Sequence, residues 1–418
     1  MRESAWSAAR TTFASLANPN YRKYVVGQGI SLVGTWMQSI AQSWLVLVLT
    51  HSATDIGVVV ALQTLPTLIL GPYAGVIADR VNKRRLMMIL QAMMGVQAAV
   101  LALVTFAHAA TFADVSLLAV VLGVNNAFEN PIRQTFVLEM VGPEDLRNAV
   151  SLNSTMVNVA RALGPAIAGI LIATVGEAWC FALNALSFVA VVASLAMMDV
   201  SLLHRAAPTP RAKGQLREGL AYVRRTPALA VPLVMMALVG TLAYEFQVTM
   251  PVLAERVFHH NSVGFGELTS AMGLGAVVGG LVTAARGSTG TRALQNGAVL
   301  FALSMAGAAL MPTMIFEDVA FVAVGYASVA FLATANSTLQ LAADPQMRGR
   351  VMSLWAVAFL GSTPVGGPLV GWITNVTSAR WGLGVGALSC ALAAGLAVVS
   401  RRRGVDSGVR AHSGRREH

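Results

Sequence analysis

Glu129 and Arg133, inside NNAFENPIRQTF, carry the sharpest chemical signal in the sequence. Residues four apart share one face of a helix, and here the surrounding run is apolar, with Pro131 between the two charges. Counting back from Val141, the expected inner end of the run, sets Glu129 roughly 18 Å from one surface of a bilayer about 30 Å thick. An acid and a base at that depth must face protein or water. Burial favours the neutral acid and the base favours the anion, so a change that withdraws the base would take up a proton. The alternative role is a salt bridge that only fixes helix packing. Arg161, in VNVARALGPAIAG, and Glu245, in TLAYEFQVTMP, are the other ionisable residues expected inside apolar runs. Gln38, Gln42, Gln247 and Asn336 are polar side chains in similar runs, which line a cavity or bond one helix to another.

The elements that must position these groups are membrane helices. Of 418 residues 56% are hydrophobic and 11% charged, a composition whose folded surface would not dissolve in water. Apolar runs at 24–49, 56–78, 86–107, 114–141, 149–175 and 179–198 predict six spans, and runs at 228–254, 265–285, 294–311, 319–341, 351–373 and 381–399 predict six more. The expectation is an all-α membrane protein of twelve transmembrane helices in two six-helix pseudo-repeats. A polar arm (1–23), a first half (24–198), a linker (199–227), a second half (228–400) and a basic tail (401–418) are the expected domains. Within the linker, GQLREGLAYVRR sets Leu216, Leu220 and Val223 on one face and predicts an amphipathic interfacial helix.

Net charge of +10 would suggest nucleic acid in a soluble protein, yet all but four of the 29 Lys and Arg fall in the arm, the tail and the loops of one side. The exceptions are Arg133 and Arg161 within spans, and Arg256 and Arg380 on the other side. This asymmetry predicts both termini in the cytoplasm and basic loops in contact with anionic lipid, with no nucleic-acid partner. Cys180 and Cys390 lie in apolar runs and read as packing residues, and the N-terminus lacks the pattern of a cleaved leader. His51, His108, His259 and His260 fall near outer turns without metal-ligand spacing, so no metal is expected. The halves echo each other: GPEDLRNAVSLN is similar to DPQMRGRVMSLW about two hundred residues later.

GPYAGVIADRVNKRR, residues 71–85, is an apolar segment that stops at an Asp and a block of bases. It resembles the loop motif between helices 2 and 3 of the major facilitator superfamily. The matching positions are Gly75, Asp79, Arg80, Lys83, Arg84 and Arg85, which the resemblance implies to be a cytoplasmic gate. Asn82 stands where the family more often has Gly, and Asn tolerates the left-handed turn a Gly would supply. Gly164, Pro165 and Gly169 resemble the fifth-helix motif of drug and proton antiporters, with Ala160 and Ala168 where that motif has Gly. Across nearly the whole chain, segments such as FENPIRQTFVLEMVGPEDLRNAVSLN and ADPQMRGRVMSLWAVAFLG are similar to the bacterial enterobactin-exporter-like branch of the superfamily. That resemblance implies export of siderophores, drugs or other secondary metabolites by proton antiport, with Glu129, Arg133 and Arg161 on the acid and base positions.

No GxxxxGK[ST] loop is present for a nucleotide-driven pump, and nothing calls for an enzyme or a cofactor. The sequence therefore reads as a monomeric, multi-pass inner-membrane transporter that moves a small molecule against protons by alternating access. A proton-coupled importer and a non-transporting sensor on the same fold are the alternatives.

Overall fold

The structure is a computed structural model of the chain and describes residues 14–78, 81–204, 215–344 and 346–402. The expected arm before residue 14, the linker segment 205–214 and the tail beyond 402 lie outside the described residues. Among the described residues every regular element is helical. The helices are α1 (Pro19–Thr50), α2 (Ala53–Ala78), α3 (Lys83–Phe106), α4 (Phe112–Val175), α5 (Glu177–Ala196), α6 (Gln215–Arg225), α7 (Pro227–Leu242), α8 (Phe246–Val252), α9 (Ser262–Arg286), α10 (Thr291–Ala308), α11 (Met314–Ala342), α12 (Arg348–Leu360), α13 (Thr363–Val376) and α14 (Ala379–Arg402).

The distribution of side chains is that of a protein dissolved in lipid. Leu186, Leu281, Leu303, Leu310 and Ile315 are exposed, whereas Gln28, Gln38, Gln91, Gln97, Asn125 and Asn184 are buried. Hydrocarbon offers amides no partner, so they turn inward and the aliphatic side chains take the outer face.

Ten described helical stretches are long and apolar enough to cross a membrane, where the sequence predicts twelve. Two differences account for this. The expected loop GPEDLRN is helical, so the predicted fourth and fifth spans merge into the 64 residues of α4. An unbroken helix of that length would reach roughly 96 Å, about three times the hydrocarbon thickness. Gly142 interrupts it with φ 74° and ψ 174°, a backbone that Gly adopts at little cost. The predicted ninth span, α10, is an 18-residue helix that falls outside those ten.

The helices form two compact units. The first comprises Met1–Leu45 and Leu65–Pro210. Its core joins Tyr21 and Tyr24 of α1, Met87 and Leu90 of α3, Ile132, Phe136 and Met140 of α4, and Val191 and Leu195 of α5. A chain of amides crosses this unit. Gln97 donates to the Leu118 carbonyl at 3.3 Å, Gln38 donates to Gln97 at 3.0 Å, and Asn184 donates to Gln38 at 2.7 Å. Four helical segments are thereby tied at one level by groups that lipid could not satisfy.

The second unit comprises Val46–Thr64 and Arg211–His418. At its centre Tyr244 is surrounded edge-on by Phe246, Phe301 and Phe359, and its hydroxyl donates to the Ser328 carbonyl at 2.7 Å. The amphipathic helix expected in the linker is α6. Val223 is buried, Tyr222 donates to Asp344 at 3.1 Å and Glu218 pairs with Arg350 at 2.6 Å, so α6 is fastened to the first turn of α12 and to the segment before it. His51, His108 and His259 each take a positive φ, of 50°, 51° and 55°, where a helix gives way to a turn.

Candidate functional site

The spacing argument for Glu129 and Arg133 holds in three dimensions: Nε of Arg133 lies 3.0 Å from Oε1 of Glu129, and both side chains are largely buried. The pair is not alone. Arg133 also donates to Asn130 at 3.0 Å, and Gln91 of α3 donates to Glu129 at 3.4 Å. Tyr24 of α1, 1% exposed, is close enough to feel both charges. An acid and a base thus sit inside the first unit with amide and phenol neighbours drawn from three helices. Such an arrangement can hold a proton or an ionic group of a ligand.

Arg161 lies in the same unit, its guanidinium 5.1 Å from the centre of the Trp36 ring. The helix–helix approach that permits this runs over Gly164. A Cβ there would lie 2.5 Å from Cβ of Trp36 and 3.0 Å from the Val33 carbonyl. Pro165 and Gly169 are buried next to it, which gives the fifth-helix motif a packing role. Gln38 is buried in the amide chain described above, and Gln42, one turn further along α1, is also buried.

Glu245 belongs to the second unit and is 4% exposed. It falls between α7 and α8, where φ of −84° and ψ of 41° interrupt the predicted seventh span. Its one identified polar neighbour is the Thr363 hydroxyl. Gln247, two residues beyond, is half-buried, as is Asn336, which accepts from Gln340 at 2.5 Å.

At the expected gate, Asp79 and Arg80 lie outside the described residues, and Gly75 stands within α2. The three bases that follow are each placed. Lys83 pairs with Glu139 of α4 at 2.5 Å. Arg84 donates to the carbonyls of Leu195 and Ala196, both at 2.7 Å, and so covers the C-terminal end of α5. Arg85 is exposed, its backbone N–H bonded to the Asn82 side chain. The expectation for Asn82 is corrected here: it does not take a left-handed turn but an extended one, with φ −68° and ψ 104°, and caps α3. Glu139, Gln91, Trp36 and Thr363 are the residues that sequence reasoning missed. For Glu139 a signal existed, an acid two residues before the end of an apolar run.

With this geometry established, comparison with known proteins decides the family. The profile described as transmembrane secretion effector, of the major facilitator type, matches residues 10–414. This chain belongs to the transmembrane secretion effector family. It is a multi-pass membrane transporter and not an enzyme. Curated relatives of this family member include an enterobactin exporter of Escherichia coli O127:H6, 28% identical over 371 residues that make up 85% of each chain. A staphyloferrin A transporter of Staphylococcus aureus is 26% identical over 254 residues, 60% of this chain and 63% of that protein. Among solved structures, a bacterial homologue of the iron transporter ferroportin superposes with a TM-score of 0.73 at 12% identity, covering 91% of this chain and 98% of that one. A bacterial homologue of the lysosomal transporter Spinster gives 0.71 at 14% identity, over 91% and 97%. Identities this low carry the fold alone, and the fold is that of the major facilitators.

Proposed function

We propose that the chain exports an amphipathic small molecule, of the siderophore or secondary-metabolite class, in exchange for protons by alternating access of its two halves. The observation that carries this reading is the buried Glu129–Arg133 pair at 3.0 Å, attended by Tyr24 and Gln91. An ionised pair away from water is stable only while its partners stay together. A helix movement that carries Gln91 and Tyr24 away opens the pair to water and cargo, so that the Arg133 side chain can swing to an anionic group of the cargo and leave the acid to be neutralised by a proton. The relatives that export enterobactin or carry staphyloferrin A support cargo of that chemistry. On this reading the protein acts as a monomer in the inner membrane with both termini in the cytoplasm. Asp79, Arg80 and the bases behind them latch the cytoplasmic side.

Inside-out vesicles with an acid interior test the reading, with a panel of siderophores, dyes and antibiotics presented to the native chain and to Glu129→Gln. The expected result is that compounds enter only with the native chain and that each entry dissipates part of the pH gradient. Uptake by Glu129→Gln equal to native, with equal proton flux, removes Glu129 from the mechanism. Movement only under the opposite gradient identifies an importer.

A further inference from the structure

Glu245 stands where two interrupted helices meet. α7 ends at Leu242, Ala243 still donates to Val239 at 2.8 Å, and the chain restarts as α8 beyond Glu245. Facing it, α12 ends at Leu360, and α13 restarts at Thr363 after Gly361 and Ser362. The breaks touch: a Cβ on Gly240 would lie 2.8 Å from the Ser362 hydroxyl, and one on Gly366 would lie 2.7 Å from Oε1 of Glu245. The carboxyl group is thus laid directly on the backbone of α13, with the Thr363 hydroxyl as its polar neighbour and Oε1 without a hydrogen-bond partner.

Among the described residues no ion pair reaches it. α7, α8 and α13 contain no Asp, Glu, Lys, Arg or His. The charged groups on the other elements packed there stand toward helix ends: Asp55 on α2, Glu218, Arg224 and Arg225 on α6, Glu255 and Arg256 in the helical turn 253–257, Glu267 and Arg286 on α9, Arg292 on α10, Glu317 and Asp318 on α11, Arg348 and Arg350 on α12, and Arg380, Arg401 and Arg402 on α14. Tyr244 is committed to Ser328. A carboxylate with one hydroxyl partner and no counter-charge does not balance the cost of leaving water, whereas the neutral acid tolerates one unpaired oxygen far better.

We propose that Glu245 is a protonation site of the second unit, separate from the Glu129 pair, and that its proton holds the α7–α8 and α12–α13 breaks packed together. Loss of that proton draws water to the carboxylate, which requires the two breaks to part. Paired discontinuous helices at membrane depth supply the bend, since their free backbone groups already lack helical partners. The inference rests on the reading of the chain as proton-driven, but it concerns a different residue in a different unit.

Hydrogen–deuterium exchange on the full chain in lipid nanodiscs tests it, on either side of neutral pH and after correction for the intrinsic pH dependence of exchange. Peptides covering 239–247 and 359–366 are expected to exchange about tenfold faster on the alkaline side in the native chain. Glu245→Gln, permanently neutral, is expected to exchange slowly at both, and Glu129→Gln to behave as native. Thr363→Val withdraws the hydroxyl that favours the anion and is expected to move the midpoint of the change to higher pH; it serves as the second variant should Glu245→Gln fail to fold. The proposal is overturned by a pH dependence that persists in Glu245→Gln, by its absence in the native chain, by its loss in Glu129→Gln, or by an unmoved midpoint in Thr363→Val. Failure of transport in Glu129→Gln, or its persistence, bears on the proposed function and leaves this readout unaffected.

Discussion

Lys83 and Glu139 offer a prediction whose size can be worked from geometry. Their charged atoms are 2.5 Å apart and each side chain is only 10% exposed, so neither is hydrated enough to stand alone. Removing one partner leaves the other buried and uncompensated, at a cost of about 3–5 kcal/mol, while replacing both by groups of similar size is close to neutral. For a unit of this size each kcal/mol shifts the melting temperature by about 2–4 °C, so Lys83→Met or Glu139→Gln lowers it by roughly 10 °C. The double variant is expected within about 3 °C of the native chain by the same scaling. Scanning fluorimetry in one detergent at one heating rate measures this, because membrane proteins unfold irreversibly and only matched scans compare. A double variant that loses the sum of the two single losses refutes the coupling. So do single variants that melt with the native chain.

Two further outcomes follow from packing and from titration. Gly164→Ala sets a methyl group 2.5 Å from Cβ of Trp36 and should cost about 1–3 kcal/mol through displaced helices, seen as a lower melting temperature with the amide chain around Gln38 intact. Asp199, outside the spans, accepts from the backbone and hydroxyl of Ser201, and these bonds hold its carboxyl below the usual range. The unfolded chain therefore binds the proton first. Its contribution is present above the ordinary carboxylate pKa and disappears as pH falls through the lower folded value. The difference in melting temperature between native chain and Asp199→Asn should accordingly be constant near neutrality and close in acid; a difference unchanged by acid would contradict it.

The sequence revealed most where local spacing decides the outcome. Glu129 and Arg133 had to meet because four residues make one helical turn, and α6 had to be amphipathic because its bases and leucines alternate with that period. Long-range pairing was not legible: nothing local joins Lys83 to Glu139 across 56 positions. Gln38 illustrates a second limit. In a helix bordered by both lipid and protein, an amide signals only that it avoids lipid, and whether it meets a cavity or another amide is set by neighbours far along the chain. The break at Glu245 is a third, since TLAYEF contains neither Gly nor Pro. There the interruption accompanies the seating of Tyr244 among three phenylalanines, a tertiary effect with no local mark.

The contact between α9 and α11 has a genetic consequence. These helices meet backbone to backbone: Gly275 faces the Val322 carbonyl, Gly325 faces the Met272 carbonyl, and a Cβ on Gly279 would lie 2.5 Å from the Tyr326 carbonyl. Every missense change of a glycine codon adds at least a Cβ, so at these three positions no single substitution is conservative. The outward faces of the same helices, where Leu274, Val278 and Leu281 are exposed, need only remain apolar. A saturation library should therefore show three intolerant codons spaced among permissive ones, and natural drift in this pair of helices would be confined to the side that touches lipid.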